Sequence, residues 1–358
     1  MRSHTFLMTE RHFFLPPEWH PQRFVQLTWP HEATDWAPYL PEITVTMTEI
    51  ADAITRFEPL VIASQTPQLT ADALAKRLSA GQMSRVTIVE CPTDDTWARD
   101  HGGISLVACG GETPSTGRHD TLILDFQFNG WGGKFGASLD NNITRRLYEA
   151  GALGGQLVDC NDFILEGGSI ESDGKGTVFT TSQCLLAPNR NQPMDRNDIE
   201  QELQRRLHAD RIVWLNHGNL IGDDTDGHID TIVRICPDDT LLYIRSTDCN
   251  DEQHEDFTAL EAELRSLRTV DGKPYRLVAL PMPRPCLYEG ERLPATYANF
   301  LVINGAVLVP TYGQPDLDKE ACDTIGSVFA GREIIPIDSQ TIIRQHGSIH
   351  CLTMQYPL

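Results

Sequence analysis

Four stretches of the chain set acidic, imidazole or thiol side chains directly beside glycine. Asp100 lies in Trp97-Ala98-Arg99-Asp100-His101-Gly102-Gly103 and Glu166 in Leu165-Glu166-Gly167-Gly168. The third stretch is Asp223-Asp224-Thr225-Asp226-Gly227-His228-Ile229-Asp230, and the fourth is His346-Gly347-Ser348-Ile349-His350-Cys351, close to the C-terminus. Glycine at such places permits positive φ or close backbone approach, which suits a pocket and equally a tight turn. Taken together, the residue types point to one chemistry. A guanidinium is planar and permanently charged, and carboxylates match it by accepting two parallel hydrogen bonds. Asp100 and Asp230 are the expected clamp. A thiolate is the common side-chain nucleophile suited to so resonance-stabilised a carbon, and a nearby cation favours its ionised form. Cys351 is the expected nucleophile, with the substrate supplying the cation. His228 would protonate departing ammonia and then activate water, with Glu166 holding its ring.

The elements that must position these residues can be read from periodicity. Apolar residues three and four apart predict helices at 40–57, 138–150, 195–208, 253–268 and 316–330. Runs rich in Val, Ile, Leu and Thr at 59–63, 86–90, 121–126, 211–215, 240–245 and 301–309 read as strands. On the same spacing, glycine followed by isoleucine and a polar residue recurs, with isoleucines at 104, 170, 229 and 349. The last gap is about twice the others, which leaves room for a copy around 297–305. The reading is an α/β fold of about five strand-plus-helix repeats in a single domain over 1–358, its glycine corners gathered at one central place. Strand alternation from 229 puts His228 and Asp230 on one face. The same alternation sets Ile349, Cys351 and Thr353 on one face and His350 on the other, so His350 is expected to point away from the substrate.

Composition narrows the partners. Fifty Asp and Glu against 29 Lys and Arg give a net charge of -21, which repels phosphate backbones and anionic membranes, so neither nucleic acid nor a membrane is expected. A cationic small molecule fits that charge. The first thirty residues lack a basic region followed by an apolar run, and no stretch approaches the length of a membrane span, so a cytoplasmic protein is expected. Nine cysteines, without a C-x-x-C pair, argue against a disulfide framework or a zinc ribbon. His346 and His350 are four apart, as in zinc sites on helices, but Gly347 and the strand-like alternation would splay them. No metal is expected. Self-association into a homo-oligomer is compatible with all of this.

These motifs resemble those of the agmatine deiminase and bacterial peptidylarginine deiminase family, within the guanidino-group-modifying superfamily of five-bladed α/β propellers. The resemblance spans nearly the whole chain and rests on W-A-R-D-H-G-G at 97–103, F-N-G-W-G-G-K at 128–134, L-E-G-G-S-I at 165–170, D-D-T-D-G-H-I-D at 223–230 and G-S-I-H-C-L-T-M-Q-Y-P at 347–357. It implies a five-bladed pseudo-symmetric propeller in which Cys351 forms a covalent amidino-thioether, His228 acts as acid and base, Asp100 and Asp230 bind the guanidinium nitrogens, and Glu166 supports the histidine. It also implies that Trp97, Trp131 and Asp224 form the pocket wall and the approach to the substrate tail. The implied reaction is agmatine plus water giving N-carbamoylputrescine plus ammonia, without metal or organic cofactor. Peptidylarginine is the alternative substrate, and a non-catalytic polyamine binder is the alternative class.

Overall fold

The computed structural model describes residues 12–109 and 120–358. Its helices and strands fall close to the sequence-based expectation. The amphipathic runs form helices at Leu40–Thr55, Ile143–Glu149, Arg196–Leu207, His254–Ser266 and Pro315–Val328. Asp195 starts the third of these as a capping box with Asp198, its side chain accepting from the backbone N–H of Asn197 and Asp198. Each helix buries residues at helical spacing, for example Ile199, Leu203 and Leu207, or Phe257, Leu260 and Leu264. No helix among the described residues is long and apolar enough to cross a membrane.

Each helix joins two parallel strands of one sheet. Ile170–Ser172 pairs antiparallel with Thr177–Thr181, and the helix Arg196–Leu207 then leads to Arg211–Leu215, parallel to the middle strand. The same unit of antiparallel pair, helix and parallel strand recurs in Ile104–Ala108, Thr121–Gln127 and Gln156–Ile164. It recurs again in Val233–Cys236, Thr240–Arg245 and Arg276–Pro281, and in Leu301–Ile303, Ala306–Thr311 and Glu333–Asp338. A fifth copy joins the two ends of the described chain, because Thr353–Pro357 pairs antiparallel with Gln22–Thr28, which runs parallel to Leu60–Ser64. Among the described residues the fold is therefore α/β, with five sheets built on one repeated unit and a separate hairpin of Cys286–Tyr288 with Glu291–Leu293.

Two local expectations differ from the structure. The run 301–309 is two strands, because Asn304-Gly305 makes a two-residue turn with Gly305 at φ 79° and Ile303 opposite Ala306. The chain at 229–235 does not begin as a strand: Ile229–Thr231 is a 3-10 turn, and strand geometry starts at Val233. Similarly, Cys351 precedes its strand, which starts at Thr353. Face alternation therefore does not govern His228, Asp230 or His350.

Candidate active site

The five repeats place their chemistry at equivalent points, just before the first strand of each sheet. Asp100 precedes the strand at Ile104, Glu166 that at Ile170, Asp230 that at Val233, Asn299 that at Leu301 and Cys351 that at Thr353. Tight turns build most of these corners: Ala98–His101, Gly167–Ser169 and Ile229–Thr231. All five side chains are buried.

Gly168 marks where two of them converge with His228. A Cβ placed on it would lie 2.6 Å from His228 Nδ1, 2.9 Å from Asp100 Oδ1 and 3.2 Å from Asp230 Oδ2. Glycine is required here by space. Its N–H donates to Asp100 Oδ1 at 3.1 Å, and Trp131 Nε1 donates to Asp100 Oδ2 at 2.9 Å. Trp131 is held at φ 54° in the Gly130–Gly133 turn, a left-handed conformation that a bulky side chain adopts at a cost of about 1–2 kcal/mol. Asn129 stabilises the turn by accepting from the Gly132 N–H.

Asp230 is asymmetric. Its Oδ2 accepts from His350 Nδ1 at 2.6 Å and from Asn299 Nδ2 at 3.1 Å, while Cys351 Sγ stands 3.8 Å away. Its Oδ1 is buried without a hydrogen-bond partner among the described residues, as are both ring nitrogens of His228. Buried polar atoms are nearly always paired, and a ligand carrying donors and acceptors would pair these three. Asn299 completes the constellation, its Oδ1 lying 3.4 Å from Cys351 Sγ and 3.3 Å from the Cys351 backbone N.

Burial shifts these groups strongly. It pushes the Cys351 thiol well above its usual range, and the Asp230 and Asp100 carboxylates push it further. Burial likewise raises Asp100 to about 6, against the pull of His228. His228 would be lowered by burial, but Asp100, Cys184 and Glu166 outweigh that and raise it to about 10. Burial also works against ionised Asp230, and the hydrogen bond and charge of His350, with His228 and Arg234, hold it below the ordinary carboxylate range.

His228 Nδ1 lies 3.6 Å from Asp100 Oδ1. Glu166, in contrast, is engaged by Arg190, whose Nε reaches its two oxygens at 3.0 and 3.2 Å. Glu166 lies near the His228 ring, together with Cys184, without hydrogen-bonding to it. The three could in principle ligate an ion, but the buried Arg190 guanidinium already supplies positive charge there.

A cleft opens above Cys351, walled by Trp97, Trp131 and Phe135 and rimmed by Asp35, Asp224 and His346. Gly347 lets the backbone lie flat on the Trp97 ring, since a Cβ there would come within 2.1 Å of it. In the acidic loop, Asp223 accepts from the Thr225 hydroxyl and the Gly227 N–H, and Asp226 pairs with Arg190 and Lys134. Asp224 remains on the cleft, 3.9 Å from His346 Nδ1. Ser348, three residues before the thiol, has its hydroxyl 3.1 Å from that of Tyr312.

A sequence model of the family described as Porphyromonas-type peptidyl-arginine deiminase matches residues 14–357. The chain belongs to that family. As a member of it, the protein is a hydrolase acting on carbon–nitrogen bonds. An agmatine deiminase of Stutzerimonas stutzeri is 31% identical over 96% of this chain and 95% of its own length. Among solved structures, a putative arginine deiminase from Porphyromonas gingivalis is 48% identical, with a TM-score of 0.89, covering 97% of this chain and 98% of that one. An agmatine deiminase of C. jejuni with substrate bound is 34% identical, with a TM-score of 0.86, covering 97% and 96%.

The eight residues named from the sequence lie in this cleft or at these corners, but sequence reasoning missed others. Asn299 stands where the repeat period left a gap, so the spacing pointed to it without naming it. His350 was set aside by a strand alternation that begins two residues too late to apply. Cys184 and Arg190 lie between repeat corners and carry no periodic signal.

Proposed function

We propose that the protein is an agmatine deiminase, with the five sheets arranged as blades around the axis on which the corners meet. The observation that carries the reading is the pairing of Cys351 with two buried carboxylates, one of which has an oxygen without a partner. A planar cation placed between Asp100 and Asp230 would satisfy that oxygen. It would also offset the negative field on the thiol, so that substrate binding itself favours the thiolate, the thiol proton passing to solvent.

The thiolate then adds to the guanidinium carbon, and a tetrahedral adduct forms. His228, protonated at neutral pH, gives its proton to the departing nitrogen, and the C–N bond breaks to leave an amidino-thioether and ammonia. The now neutral imidazole takes a proton from water as the oxygen attacks the same carbon. The C–S bond breaks as the new hydroxyl passes its proton to the departing sulfur, and the ureido product leaves with the Cys351 thiol restored and His228 protonated again. Trp97 and Trp131 would flank the methylene chain, and Asp224 at the rim would meet a distal ammonium. Relatives named agmatine deiminase, matched over their full length, favour this substrate over a peptide.

The test is ammonia release from agmatine, free arginine and a blocked arginyl peptide, with intact mass measured after acid quench. Agmatine is expected to be the preferred substrate and to leave an amidine adduct that disappears in Cys351→Ala. Preference for the peptide would overturn the substrate, and an adduct surviving in Cys351→Ala would overturn the nucleophile.

A further inference from the structure

His350 is fully buried and has a carboxylate at each ring nitrogen. Nδ1 donates to Asp230 Oδ2 at 2.6 Å, and Nε2 lies 2.5 Å from Glu18 Oε1 and 3.0 Å from Arg234 Nη2. Arg234, itself buried, pairs with Glu18 and, through Nε at 2.6 Å, with Glu171. Arg99 stands 3.3 Å from Glu18 and reaches the His350 carbonyl. Glu18, Arg99 and Glu171 line a second cavity that shares no residue with the cleft holding Cys351.

We propose that His350 is a positioning residue of the guanidinium site: it ties down Asp230 Oδ2, leaving Oδ1 to the substrate, and anchors that carboxylate to the Glu18–Arg234 network. The inference rests on reading the cleft as a guanidinium site. Torsion about the last carboxylate bond is soft and two-fold, so one oxygen must be fixed for the other to point reliably at a ligand. Asn299 supplies a second, longer bond to the same oxygen, which His350 reaches 0.5 Å more closely (3.1 against 2.6 Å). The other groups facing Asp230 are His228, Asp100, Cys351 and Arg234. Of these, Asp100 disfavours its charge when ionised, while the neutral Cys351 thiol stands 3.8 Å from the oxygen that His350 holds. Without His350, a fully buried carboxyl beside Asp100 would hold its proton to a much higher pH.

Two amides separate the two arms of the ring, because the Asn amide nitrogen occupies roughly the place of Nδ1 and that of Gln the place of Nε2. In His350→Gln, kcat/KM for agmatine should fall ten- to a hundredfold, the loss of a hydrogen bond to a charged group. The acid limb of its pH profile should steepen from about one proton to about two, as Asp230 joins Asp100 in titrating there. His350→Asn should recover tenfold or more of the loss and a one-proton limb. Equal losses in both variants with unchanged limbs would reduce His350 to a structural role and overturn the proposal, as would full activity in His350→Gln.

Calorimetry in a Cys351→Ala background keeps this apart from the catalytic reading. If agmatine binds and His350→Gln makes binding release about one more proton near pH 5, the inference stands even where the wild type turns nothing over. If the wild type turns over agmatine and that extra proton is absent, the inference alone fails. No agmatine binding at any pH would overturn both.

Discussion

If the reaction runs as proposed, competing demands on Asp100 and His228 set its pH range. Burial raises Asp100 to about 6, and it must be ionised to pair with a guanidinium. Activity on free substrate should therefore rise as pH passes about 6. His228 is raised to about 10, against burial, by Asp100, Cys184 and Glu166, and it must be protonated to release ammonia, so activity should fall as pH passes about 10. Trp131 enters this balance because its indole N–H donates to Asp100 Oδ2 and favours the ionised form. Trp131→Phe removes the donor and keeps most of the ring. Its acid limb in kcat/KM against pH should move up by about one unit, while the alkaline limb stays in place. An unmoved acid limb would mean that the indole serves only as wall.

The elements that carry these residues were legible to different degrees, for physical reasons. Helices such as Arg196–Leu207 show in the sequence because burial imposes a period of 3.6 on their apolar residues, and strands such as Val86–Glu90 and Arg211–Leu215 show as short runs of β-branched and other apolar residues. The corners lie outside both patterns. There, glycine was the signal, and it identified Asp100, Glu166, His228 and Asp230 without revealing that His228 and Asp230 sit on a 3-10 turn. Strand alternation carried one turn too far also hid His350. The glycines themselves can be tested. Gly168 has an ordinary φ, yet a methyl there would press on His228, Asp100 and Asp230 together. Gly168→Ala should cost about 1–3 kcal/mol of stability through overpacking and lower kcat on the order of a hundredfold, as displacement of reacting groups by about an ångström does. Gly136→Ala is the control, because nothing lies within 4 Å of its added methyl. Thermal melts and agmatine turnover on the two proteins would compare them. Similar turnover would show that the corner tolerates side-chain bulk.

At the scale of the whole molecule, the last strand joins the two ends of the described chain and also holds the thiol's corner. Thr353 pairs with Leu27 and Tyr356 with Phe24, whose rings stack at 4.7 Å. The Tyr356 hydroxyl donates to Gln26 Oε1 at 2.9 Å and accepts from the Gly103 N–H at 3.2 Å, three residues beyond Asp100. One side chain thus ties the first sheet to the corner of the second. Two substitutions separate its parts. Tyr356→Phe keeps the stack and loses the hydroxyl, which should cost about 1 kcal/mol or somewhat more where Gly103 is left unpaired. Tyr356→Ala opens a cavity between Phe24 and Met354 and should cost about 3–5 kcal/mol. That is a large share of a total of about 5–15 kcal/mol for a typical domain. Urea unfolding read by tryptophan fluorescence gives both numbers. If the five sheets behave as one ring closed by this strand, Tyr356→Ala should lower a single cooperative transition. An early separate transition covering part of the signal would mean that the first sheet can open while the others persist. In that case Cys351 would leave the site before Asp100 and Asp230 do, and activity would be lost at urea concentrations where most of the fluorescence signal is still native.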